Sequence, residues 1–434
     1  MSRIAFVSPL PPAPTGIADY AADVLALLAP GHVIDAFHDQ AEVDTARIPA
    51  SVGVHRASAL VERHSHQAYD AVVYQMGNGP AHDFLYDLIP RRPGLLVLHD
   101  LVLHHARARM FLDSPAARAY AQSPSDPARR DAARPALDAY RAELDHGYPG
   151  QGARLFDVQL GTVGTLLPYA YPLFRLPVEA SRLTAVHNAF MAEAVRAAVP
   201  GAEALRVTMP VSAAPVRAAE VAALRARLGL APDDFVVGSF GLLTPEKQVE
   251  TVARAVARTA VHVPRARLLL VGTVPDPAAL ARRLAALGVA GRTVVTGRVP
   301  FAELAAHMEA ADVAVHLRYP TARETSAALL RLLAQGRPAV VSDLEHLADV
   351  PDEAVVRVDP TDEEGGVTRA LLSLAGHPAV RARLGAQARA FAQAAHSPSR
   401  GRHDYEAAIA RAASLPDPPA RPSWPAHWRP AVRT

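Results

Sequence analysis

The chain has 434 residues, half hydrophobic and a fifth charged, a length too great for one ordinary core and suggestive of two domains. A net charge of +2 gives no general case for nucleic acid as a partner or for an acidic membrane surface. The absence of cysteine excludes disulfides, thiolate metal sites and a cysteine nucleophile, and fits a reducing compartment. In chain order, Met-Ser-Arg-Ile-Ala-Phe-Val-Ser opens as a strand, too short for a signal h-region. No apolar run approaches the ~18 residues of a spanning helix. The expectation is a soluble cytoplasmic protein, with peripheral contact at the inner membrane face left open.

Apolar runs at 3–8, 33–37, 71–75, 94–98, 183–187 and 206–211 read as strands, with helix over 20–28 and mostly helical, polar sequence over 105–175. Ala231-Pro-Asp-Asp234 closes an Ala/Arg/Glu helix and marks a boundary. A second alternating series follows, with strands at 235–240, 267–271, 293–296, 312–317, 339–342 and 354–358. Its helices are expected at 249–259, 278–287, 301–310 and 364–375, followed by 380–395 and 403–413. Strands alternating with helices predict a parallel sheet wrapped by helices, here twice. The domains expected are 1–212 and 213–395, with 396–434 as a crossover helix and a tail rich in proline. Trp424 and Trp428 make that tail either a packed strap, the favoured reading, or a free end.

In open α/β sheets ligands sit at the carboxyl ends of strands. The unusual polar elements fall there: Thr15-Gly16, Gly77-Asn78-Gly79, His99-Asp100, His187-Asn188, the 241–247 loop, Gly297-Arg298 and the 318–326 loop. The loops of both halves are therefore expected to face one cleft. Gly16 lets a backbone N–H approach a phosphate or hydroxyl closely, though a simple turn explains it equally well. With no G-x-G-x-x-G, a dinucleotide cofactor is disfavoured. Gly241-Leu-Leu-Thr-Pro-Glu-Lys247 is not a P-loop. A casual lysine at a helix N-terminus is disfavoured by the dipole, and Lys247 can meet a pyrophosphate there. His99-Asp100-Leu-Val-Leu-His104-His105 invites a metal reading, but adjacent histidines diverge on a helix; His99 reads as a hydrogen-bonding cleft residue and no metal is expected. His187 reads more readily as a structural histidine. Thr325 and Ser326 are N-cap candidates, and Gly336 suits a left-handed helix end before Arg337-Pro338. Glu324 beside that N-terminus either caps the helix or accepts hydrogen bonds from sugar hydroxyls while the Thr325 and Ser326 N–H groups receive phosphate.

The order and spacing of several motifs resemble a GT-B glycosyltransferase of the group-1, or GT4, type over about residues 3–395. They are Phe6-Val-Ser-Pro-Leu-Pro-Pro-Ala-Pro-Thr-Gly-Ile-Ala-Asp-Tyr20, Gly241-Leu-Leu-Thr-Pro-Glu-Lys247, Leu269-Leu-Val-Gly272, Val295-Thr-Gly-Arg298 and the 316–343 stretch. The resemblance implies two Rossmann-like domains facing a central cleft. It also implies a nucleotide-diphosphate sugar donor, a glycan, glycolipid or small-molecule acceptor, transfer with retention, and no metal or other cofactor. By position it assigns Gly16 to the donor phosphates, His99 to the donor sugar, Lys247 to the diphosphate and Glu324 to the sugar; His99, Glu324 and Lys247 form the expected catalytic set. Thr15 and Asp100 are placed on the acceptor or sugar side.

Departures accompany the resemblance. The arginine of the family's diphosphate pair is Leu242 here, and its Glu-x7-Glu pair aligns on Arg323 and Arg331, so Glu324 requires a one-residue loop shift. Arg298, Arg318 or Arg323 can restore the lost positive charge, since guanidinium binds phosphate bidentately. No pair of carboxylates suits a glycosidase. The rival readings are a nucleotide-sugar epimerase and a non-catalytic GT-B protein that binds a sugar nucleotide.

Overall fold

The protein, in a computed structural model, is described over residues 1–62, 69–161, 166–419, 421 and 424–428. Residues 162–165 of the expected helical stretch, and 420, 422–423 and 429–434 of the tail, lie outside the described residues. The chain divides into two compact units. One comprises Met1–Thr208, Ala322–Thr325 and the chain from Arg402 onward; the other comprises Met209–Thr321 and Ser326–Gly401.

The first unit is built on seven strands: β1 (Arg3–Val7), β2 (Val33–His38), β3 (Gly53–Arg56), β4 (Ala71–Met76), β5 (Leu95–Leu98), β6 (Leu183–Val186) and β7 (Ala204–Arg206). Their order is β3-β2-β1-β4-β5-β6-β7, with parallel pairing such as Phe6 opposite Val73 and Val7 opposite Phe37. The second unit holds β8 (Phe235–Phe240), β9 (Ala266–Val271), β10 (Thr293–Val295), β11 (Val313–His316), β12 (Ala339–Ser342) and β13 (Val356–Val358) in the order β10-β9-β8-β11-β12-β13. Helices cover both faces of such parallel sheets, so the central strands read as continuous apolar runs. Leu268, Leu269 and Leu270 are fully buried, although neighbouring residues of a strand point to opposite faces.

Two strands differ from expectation. Gly53-Val-His-Arg56 pairs at the sheet edge as β3, where its mixed side chains gave no apolar run. The strand expected at 206–211 is Ala204–Arg206 instead. Beyond it, Thr208 gives its N–H and hydroxyl to the Asp404 carboxylate, at 3.0 and 2.6 Å. Gly336 has φ 70°, the left-handed helix end its sequence suggested. Trp424 and Trp428 are each 2 % exposed and belong to the first unit's core, so this part of the tail is a packed strap. Among the described residues, no helix is long and apolar enough to cross a membrane.

Candidate functional site

Each sheet reverses its strand order once, between β1 and β4 and between β8 and β11. The carboxyl ends of the strands at such a switch form the ligand crevice of a doubly wound fold.

In the second unit, the 241–247 loop leaves β8 and the 318–321 segment follows β11. Gly241 N–H donates to Val271 O and Leu243 N–H to Thr273 O, at 3.0 and 2.9 Å, which lays this loop against the one after β9. The contact leaves no room for a side chain at Gly272: its φ is 141°, and a β-carbon there would lie 1.8 Å from Gly241 O. Tyr319 N–H donates to Glu246 O and Gln248 Nε2 to Tyr319 O, at 2.9 and 3.1 Å, joining the loops across the switch. Lys247 ends a short 3-10 turn, Pro245–Lys247, and is 4 % exposed. A β-carbon on Gly241 would stand 3.7 Å from its Nζ, so the backbone of Gly241 lies beside the ammonium.

The same neighbourhood contains His316, at the end of β11. Burial first, then the charges of Lys247 and Arg318, hold its pKa well below the ordinary value and keep it neutral. The charges of both Lys247 and Arg318 are thus felt at the end of β11, an electrostatic setting that suits a diphosphate. The Arg318 N–H donates to Ser342 Oγ at 3.2 Å, and that hydroxyl is hydrogen-bonded to Glu363. Burial raises the Glu363 pKa, against the lowering effect of that bond. Ser342, Glu363 and His316 were missed in the sequence because their part comes from adjacency of β11, β12 and the start of helix Glu363–Gly376.

The first unit gathers a different set. His99 follows β5, is 5 % exposed, and its Nε2 lies 2.7 Å from Gln75 Oε1. Burial, then His187 and His82, hold its pKa well below the ordinary histidine value. His187 packs with ring centres 4.8 Å away and donates Nδ1–H to Val207 O at 3.0 Å. Tyr20 presents its edge to both rings. Asp100 Oδ2 accepts the Asn78 N–H at 2.8 Å. His104 is turned away to Tyr140 and the Tyr171 carbonyl, and His105 to Asn78 and Tyr169. Among the described residues, no group of three or more His, Cys, Asp or Glu is placed to hold a metal.

Thr15 caps helix Gly16–Leu28, its hydroxyl accepting the Ile17 N–H at 3.3 Å, so this helix starts earlier than the expected residue 20. A β-carbon at Gly16 would meet nothing within 4 Å. Ser326 alone of the two candidates caps helix Ala327–Ala334. Thr325 Oγ1 instead accepts Asn188 Nδ2–H at 3.1 Å. Glu324 and Thr325 cluster with the first unit, whereas Lys247, Arg298, Arg318 and Ser326 belong to the second. Arg298 lies exposed after β10. Arg323, at φ 59°, stacks over Phe190 in the first unit. Arg331 stacks over Phe301 at 4.9 Å, and Leu242 is 55 % exposed.

Two Rossmann-like units, each with a switch-point crevice, define a GT-B glycosyltransferase fold. Residues 234–377, in the second unit, match the family model described as glycosyl transferases group 1. The fold is similar to that of HepE from Anabaena in complex with UDP-glucose, at TM-score 0.63 and 16 % identity, covering 94 % of this chain and 99 % of that one. Sucrose-phosphate synthase from Thermosynechococcus elongatus gives TM-score 0.61 and 19 % identity, covering 95 % and 97 %. WaaG, a glycosyltransferase involved in lipopolysaccharide biosynthesis, gives TM-score 0.61 and 15 % identity, covering 93 % and 98 %. Comparison with curated protein sequences gives no match.

Proposed function

We propose that this GT-B protein is a retaining, metal-independent hexosyltransferase of the GT4 type, moving a sugar from a nucleotide-diphosphate donor to an acceptor hydroxyl. The observation that carries the reading is the buried Lys247 in the loop after β8, with Arg318 following β11 across the same switch, in the unit that contains the matched residues. Lys247 would meet the diphosphate and offset leaving-group charge, with Arg318 supplying the cation missing at Leu242. Arg298, Ser326, Gly16 and the Thr325 N–H are further donor contacts in this reading; Glu324 and His99 would address the donor sugar, and Thr15 and Asp100 the acceptor side. HepE in complex with UDP-glucose makes UDP-sugars the first donors to try. The reaction is placed in the cytoplasm, with a glycan, glycolipid or small-molecule acceptor.

Arginine at both positions of the family's glutamate pair, Arg323 and Arg331, favours a second reading, a protein that binds a sugar nucleotide without turning it over. Nucleotide sugars ranked by thermal stabilisation, then assayed for nucleoside diphosphate release with glycolipid and soluble acceptors, separate the two. Transfer predicts release that survives a chelator and a product with the donor's anomeric configuration. Stabilisation without release from any pairing supports the binding protein.

A further inference from the structure

We propose that Gln75 is a positioning residue that fixes His99 with its proton on Nε2, leaving Nδ1 as the acceptor offered to a ligand hydroxyl. Gln75 sits fully buried in β4, beside the β1/β4 switch, and His99 N–H is held by Met76 O at 2.9 Å, which sets the strand-end backbone. The side-chain amide faces two ways. Its Oε1 lies 2.7 Å from His99 Nε2, and an amide oxygen only accepts, so the imidazole nitrogen must donate. Its Nε2 points at Tyr405 Oη, 3.5 Å away, and Tyr405 Oη is 2.7 Å from Tyr20 Oη. Tyr405 then accepts from Gln75 and passes its own proton towards Tyr20.

The competing arrangement is a reversed amide. Tyr405 would donate to Gln75 while the amide NH2 donated to His99, placing the imidazole proton on Nδ1. The tautomer of His99 and the proton order of the two tyrosines are thus one coupled choice, and all four side chains are buried. Gln75 also uses its backbone carbonyl, which accepts His82 Nδ1–H at 3.0 Å. One strand residue therefore orients two histidines. Tyr405 lies in helix Pro398–Ser414, which gives this C-terminal helix a part in setting a site far away in sequence. The inference rests on the transferase reading only for what His99 meets; the tautomer is independent of it.

The test uses full-length protein labelled with 15N at histidine, with His99 signals assigned by their loss in His99→Asn. Long-range proton–nitrogen correlations are expected to show the Nε2–H form in the wild type. Gln75→Leu should give mixed tautomers and a drop of about tenfold or more in nucleoside diphosphate release, as expected when an imidazole loses its fixed tautomer. Gln75→Glu, an acceptor of the same length, should hold Nε2–H and recover most of the release. Tyr405→Phe keeps the packing but removes the anchor, and should loosen the tautomer without unfolding the chain. An Nδ1–H wild type, or Gln75→Leu with an unchanged single tautomer, overturns the proposal. If the wild type releases nucleoside diphosphate from no donor, the transferase reading fails while the spectra still decide the role of Gln75.

Discussion

At Gly272 the backbone of one loop lies where a side chain would stand, since Gly241 O is 1.8 Å from any β-carbon built there. With φ also in the left-handed half of the map, Gly272→Ala is expected to cost about 1–3 kcal/mol, by overpacking and strain together. Urea unfolding should show it, with the loss in the second unit. Its positive φ is not visible in Leu-Val-Gly-Thr, where glycine reads as an ordinary turn. Lys247 was legible as a candidate, because a lysine ahead of a helix runs against the dipole. The charge at Arg318 was legible as a candidate, but the anchoring of its backbone N–H on Ser342, itself bonded to Glu363, was not. Arg318→Ala should weaken binding of a nucleoside diphosphate by about tenfold, the loss of one charge-assisted contact, and Arg298→Ala by less. Calorimetric titration checks both; unchanged affinity in each of Arg318→Ala, Arg298→Ala and Arg323→Ala would remove the idea that arginine replaces the missing cation.

The element whose behaviour the structure explains most fully is the tryptophan strap. Trp428 Nε1–H donates to Glu143 and Trp424 Nε1–H to Glu179, at 2.7 and 2.8 Å. Glu143 is buried with Arg107, whose guanidinium also lies 4.1 Å over the Tyr86 ring. Burial alone would raise the Glu143 carboxyl, but Arg107 and His427 outweigh it and hold it at about 2. Burial is likewise outweighed at Glu179 by His146, Arg175 and Trp424, again giving about 2. Both folded values lie below the free glutamate value of 4.5, so the unfolded chain binds more protons. Their contribution is complete above about pH 4.5 and is lost as the pH falls towards 2. The chain's two tryptophans are both in the strap, so a red shift of intrinsic fluorescence over that window should report its release. A flat signal from pH 5 to 2 would contradict the anchoring. Trp428→Ala should cost about 3–5 kcal/mol, the usual loss for a buried large aromatic, and thermal unfolding measures it.

On the scale of the whole molecule, the alternation of apolar runs and helices makes two parallel sheets legible in the sequence. Crossover connections restrict the strand order without dictating it: β2 reaches β3, and β12 reaches β13, through a 3-10 turn rather than an α-helix. What stayed hidden was the edge. Gly53-Val-His-Arg56 carries no apolar run, and Ala204–Arg206 is too short to stand out. The candidate site was legible where a motif lies within one loop, as in 241–247, and illegible where it is assembled across the chain. Gln75 meets Tyr405 at a separation of 330 residues, and no local pattern encodes that. Departures at Leu242, Arg323 and Arg331 were visible, but their surroundings, exposure for Leu242 and aromatic stacking for the arginines, needed the fold.

The proposed transfer turns on Lys247, at the β8/β11 switch, holding the diphosphate of a nucleotide-sugar donor. Calorimetric titration of wild type and Lys247→Ala with the nucleoside diphosphate of the most stabilising donor tests it directly. Affinity should fall by about 10–100-fold in the variant, the worth of a charge-assisted contact of roughly 1.5–3 kcal/mol. Equal affinity in the two proteins, both folded, would contradict it.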